Sequence, residues 1–76
     1  MVVLNLKRPA SELCDQLNAE NKMFKVKMNL GGFAWVVDSS GLCVETGFCL
    51  IGNSDEVQRA ELKRLASVLG VIAIIV

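Results

Sequence analysis

The last six residues, Val71-Ile72-Ala73-Ile74-Ile75-Val76, are apolar without interruption, and no other stretch restricts the fold as much. Their β-branched content and brevity predict a strand over 71–76. A strand on a sheet with one solvated face alternates polar and apolar residues, and this one has no polar face to give. Either it is central and covered on both sides, or its second face or its edge meets another chain. The apolar stretch from Val68 onward is nine residues, far short of the ~20 a membrane-spanning helix needs.

Little else in the chain is available to do the covering. At 76 residues there is room for one core, and a domain of this size buries only about 60% of its unfolded surface. Two segments carry helical periodicity. After Pro9, Ala10, Leu13, Cys14 and Leu17 recur at helix spacing, with Glu12 and Asp15 near the positive end of the dipole, which predicts a helix over about 9–20. Leu62, Leu65, Ala66 and Leu69 form the face of a second helix. Asn53 and Glu56 stand in capping-box relation at its start, Ser54 is an alternative cap, and Gly70 is placed to end it.

The remaining segments read as strands. Val2, Leu4 and Leu6 share one face of a first strand over 2–6. In MFKVKMNL, Phe24, Val26, Met28 and Leu30 alternate with Lys25, Lys27 and Asn29, the cleanest period-two pattern present. Gly31-Gly32 and Asp38-Ser39-Ser40-Gly41 are turn signals on either side of FAWVV, and Leu42 to Ile51 completes a meander, with Gly47 at a bulge or bend.

The expected fold class is therefore α+β: a two-layer sandwich in β-α-β-β-β-α-β order, its antiparallel sheet carrying two helices on one face. A ferredoxin-like plan places the first and last strands side by side in that sheet. In the alternative, helix, meander and helix form the unit and the terminal strands are additions. Over residues 9–69, including the Gly52-Asn53-Ser54 lead into the last helix, this second order resembles the double-stranded-RNA-binding domain. The resemblance implies phosphate contacts from a basic cluster at the start of the second helix. Here that position holds Asp55, Glu56, Val57 and Gln58, whose acids repel phosphate.

Composition narrows function mainly by exclusion. Eight basic and eight acidic side chains cancel, so no broad positive field attracts nucleic acid or anionic membrane. There is no histidine, and Cys14, Cys43 and Cys49 form an odd set without a C-x-x-C pair. This argues against a disulfide framework, a zinc site or Cys-His catalysis, and predicts all three thiols as buried packing. Asp38 and Glu45 flank a turn and read as solvated turn residues rather than an acid–base pair. The N-terminal MVVLNLKRP has its charge after an apolar run too short for a signal-peptide core, so a cytoplasmic location is expected.

No catalytic, cofactor-binding or metal-binding residue is assigned, and an enzyme is not expected. The hydrophobic share of 53%, above the roughly 45–50% usual for soluble domains, and the two-faced last strand point to a protein-interaction module. Such a module would be a regulator or inhibitor that occludes a surface of another protein, comparable in size to phage and mobile-element accessory proteins. Another protein or a second copy would bind through the C-terminal strand. The alternative is a nucleic-acid-binding domain using the Lys22, Lys25 and Lys27 strand face, provided that Trp35 shares it; otherwise Trp35 is a core residue. The candidate interaction residues are Lys22, Lys25, Lys27, Trp35, Arg59, Lys63, Ile72 and Ile75.

Overall fold

A computed structural model describes all 76 residues, Met1–Val76. Along the chain lie β1 (Val2–Leu4), α1 (Ala10–Ala19), β2 (Lys25–Met28), β3 (Phe33–Val37), β4 (Cys43–Cys49), α2 (Asp55–Leu69) and β5 (Ala73–Ile75). The α+β class holds, with two helices, but the strands do not form one antiparallel sheet. β2, β3 and β4 make an antiparallel meander, while β1 and β5 pair separately and in parallel. A parallel pair needs a long connection between its strands, and here the whole intervening chain supplies it.

Helix boundaries follow from local chemistry. Ser54, not Asn53, caps α2: its hydroxyl accepts from Val57 N–H at 3.3 Å, while the Asn53 amide instead donates to the Cys49 carbonyl at 2.9 Å. Gly70 closes the helix at φ 71, a left-handed conformation that costs glycine no Cβ clash. On α1 the residues Leu13, Cys14 and Leu17 are buried, and on α2 Leu62, Leu65, Ala66 and Leu69. These two stripes meet Val26, Ala34, Val36 and Phe48 from the meander and Val2, Leu4 and Ile75 from the parallel pair in one contiguous core. Burying each of the larger side chains contributes about 1.5–3 kcal/mol.

Two irregularities decide which β4 residues face that core. Phe48 lies opposite Ala34, but Thr46 lies opposite Trp35 and Cys43 opposite Val37, with register shifts that leave Gly47 and Val44 as extra residues. Gly47 adopts φ 97, so the first shift is a bulge of the glycine type. The tight turn before β3 has a steric reason as well: a Cβ at Gly32, whose φ is 85, would collide with the Ile51 side chain.

The parallel pair is flanked by the helices, β1 against α1 and β5 against α2. Its backbone is reached from both sides. Gln16 donates to the Val3 carbonyl at 3.2 Å, and Arg59 donates to the Ile75 carbonyl. The meander's edges are treated alike. Asn18 both accepts from Val26 N–H at 2.7 Å and donates to Val26 C=O at 3.2 Å, capping β2. On β4, Glu61 accepts from Cys49 N–H at 3.0 Å and Arg64 donates to the Gly47 carbonyl at 2.9 Å. Each sheet edge therefore has a helix side chain occupying backbone groups that another strand would need.

Candidate interaction faces

With the edges occupied, the open surfaces are faces. In the parallel pair the register sets Val3 beside Ile74, and continuing it one residue further puts Met1 beside Ile72. Val2, Leu4 and Ile75 point into the core, so Met1, Val3, Ile72, Ile74 and Val76 line the outer face. All five are exposed, Ile72 by 73% and Ile74 by 44%. The run that reads as two-faced in sequence is two-faced in space. One face is core; the other is an uncovered apolar strip.

This placement corrects the assignment of Ile75, which is only 8% exposed and belongs to the core, whereas Ile72 lies on the outer face. It also shortens the strand, since only residues 73–75 of the predicted 71–76 pair in regular register with β1.

The second open surface is the outer face of the meander. Lys25 pairs with Val37 and Lys27 with Trp35, and directly opposed residues project to the same side of a sheet. Trp35 therefore shares the lysine face and lies outside the core cluster, half-buried. Both helices pack on the opposite side. Lys22 is exposed in the loop before β2. Lys25 leans over the sheet edge, its ammonium 3.4 Å from the Asn18 carbonyl.

Arg59 and Lys63 do not join that surface. They belong to α2, on the inner side of the sheet; Lys63 is exposed and Arg59 is engaged with the Ile75 carbonyl. The basic candidates thus divide between two sides of the molecule. A role that sequence reasoning missed belongs to Arg64, whose guanidinium sits 4.0 Å from the centre of the Phe48 ring and 3.2 Å from the Glu61 carboxylate. The i,i+3 spacing of Glu61 and Arg64 was the available signal for that pair.

The thiols differ from expectation. Cys14 is buried, but Cys43 and Cys49 are exposed: Cys49 follows the inward Phe48 and so faces out, and the two register shifts cancel in parity, leaving Cys43 opposite Val37 on the same outer face. Burial, with the Asp15 carboxylate nearby, pushes the Cys14 thiol up to about 11. At neutral pH this thiol is protonated and a poor nucleophile. The Asp38 carboxylate is held below the ordinary range by the Ser40 hydroxyl at 2.6 Å and by backbone N–H groups of the same turn. Those bonds make it a turn-forming group, and Glu45 lies opposite Val36 rather than beside it.

A cleft of about 330 Å³ opens near the starts of the two helices, lined by Leu6, Leu13, Met28 and Leu50 with Arg8 and Gln58 at its polar side. Arg8 is 3.3 Å from Glu12, so its charge is already countered. No group of three or more His, Cys, Asp or Glu side chains is placed to hold a metal ion, and no helix is long and apolar enough to cross a membrane. The chain matches no protein-family model, and no curated protein or solved structure matches it.

Proposed function

We propose that this chain is a non-enzymatic protein-interaction module, a regulator or inhibitor that binds another protein chain through the outer face of β1 and β5 and occludes part of that partner's surface. The observation carrying this reading is the exposed strip of apolar side chains Met1, Val3, Ile72, Ile74 and Val76. Contiguous apolar patches beyond a few hundred Å² are rare on monomers and mark interaction sites. The capped edges support the same reading, because they disfavour strand addition and leave side-chain packing on a face as the mode of contact. We read residues 9–69 as a unit of helix, meander and helix like that of double-stranded-RNA-binding domains, with β1 and β5 added to create the apolar face.

The test compares immobilised wild type with Ile74→Lys and Lys63→Glu in extract of the native host, alongside sedimentation velocity. The expected result is a partner, or self-association, retained by wild type and Lys63→Glu and lost with Ile74→Lys. Identical retained proteins for all three, with wild type monomeric at all concentrations, would contradict the proposal.

A further inference from the structure

We infer that the outer face of the meander is a binding site for single-stranded nucleic acid, with Trp35 as the base-stacking platform and Lys22, Lys25 and Lys27 along the phosphate track. This site is on a different face from the apolar strip and does not depend on the reading given for it. The inference starts from the register. Lys27, Trp35 and Thr46 form one row across the three strands, Lys25, Val37 and Cys43 a second, and Phe33 and Cys49 a third. These rows hold two aromatics and two lysines and no carboxylate. The Lys25 stem starts on this face and its ammonium turns over the β2 edge to the Asn18 carbonyl, from which a phosphate passing that edge would draw it. The nearest acid along β3, Asp38, is tied to the Ser40 hydroxyl and the Leu42 N–H.

Geometry suits an unpaired strand better than a duplex. A sheet face with exposed rings offers each base a flat apolar surface, and lysines beside it meet the sugar–phosphate chain. Bases inside a duplex cannot reach such rings. Phe33 is 38% exposed and Trp35 half-buried, so Trp35 is fixed by its neighbours while presenting part of its ring. The second helix, where duplex-RNA binders grip phosphate, begins here with Asp55 and Glu56. Phosphate contacts are thereby confined to the β2 side of the molecule.

The chain has one tryptophan and no tyrosine, so its fluorescence reports on this face directly. A dT15 oligonucleotide titrated in about 50 mM salt should quench Trp35 emission, with dissociation constants in the micromolar range typical of non-specific binding. With two or three phosphates neutralised, log affinity should fall against log salt with a slope of about −1.4 to −2. Trp35→Phe should retain binding, measured by anisotropy of a labelled oligonucleotide, and Trp35→Ala should weaken it about tenfold. Lys25→Glu with Lys27→Glu should weaken it tenfold or more, and Lys63→Glu should leave it unchanged. Circular dichroism must show each variant folded, and Lys27→Gln serves should the double reversal unfold. Absence of quenching by dT15 up to 100 μM, on the order of the weakest non-specific affinities, would overturn the inference and leave the face to an acidic protein surface. Equal quenching by heparin or by a 15-base-pair duplex would overturn it too, since charge alone would then account for binding.

Discussion

Ile74 and Ile75 are adjacent, chemically identical and placed on opposite faces of the same short strand, so one substitution made at each separates core from surface. Ile75 is 8% exposed and part of the core; Ile74 is 44% exposed on the outer strip. Truncating a fully packed isoleucine to alanine costs about 2–5 kcal/mol through lost transfer energy and the cavity left behind. We therefore assign about 3 kcal/mol to Ile75→Ala and about 1 kcal/mol to Ile74→Ala. Total stability for a chain of this size is about 4–11 kcal/mol, and a urea slope near 1 kcal/mol/M applies to small domains. Ile75→Ala should lower the urea midpoint by about 3 M, and Ile74→Ala by about 1 M or less. Both are read by circular dichroism at low protein concentration. Repeating the titration at high concentration should widen the loss for Ile74→Ala if the face is covered by association, because binding to the folded state adds apparent stability. A larger loss for Ile74→Ala at low concentration would show the strand parity to be reversed, and equal losses would show both positions packed; either would remove the apolar face.

Other consequences are open to measurement. Asn18→Ala strips both hydrogen bonds from the backbone of Val26 and should cost about 2–3 kcal/mol by urea unfolding; a loss below about 0.5 kcal/mol would refute the edge-capping role. Cys43 and Cys49 should react with a thiol reagent at pH 8 in the folded state, and Cys14 only after denaturant is added. Three fast thiols or one would contradict the burial described. The lowered Asp38 carboxyl contributes stability that is present above its unfolded value near 3.8 and is lost as pH falls through its folded value. Asp38→Asn should accordingly flatten the acid limb of the stability profile below about pH 4, and an unchanged limb would refute the turn hydrogen bonds.

Much of the architecture is legible in the sequence wherever a single local rule applies. Lys25, Lys27, Val26 and Met28 give β2 by alternation, the leucine stripes give both helices, and Gly70 gives the end of α2. The ferredoxin-like alternative sets the first and last strands side by side, and they do pair, but their parallel direction and their separation from the meander are not legible, because nothing local in VVL or AII states either. The sidedness of β4 escapes for a different reason. Alternation counted from Phe48 would send Thr46 and Val44 inward, and the bulge at Gly47 reverses that. The side taken by Trp35 is likewise open in the sequence, because parity across a hairpin is not a local property, and it is fixed by pairing with Lys27. The apolar C-terminal run was readable as an anomaly, but only the register with β1 divides it into Ile75 inside and Ile72 and Ile74 outside.

The proposed interface is tested most directly by contact at the face itself. A photo-reactive benzoylphenylalanine placed at Val3, beside Ile74 in the register, should on illumination in the native host yield a discrete protein adduct, while the same residue at Lys63 on α2 yields none. Adducts of the same size and amount from both positions, or none from Val3, would contradict a partner seated on the β1–β5 face.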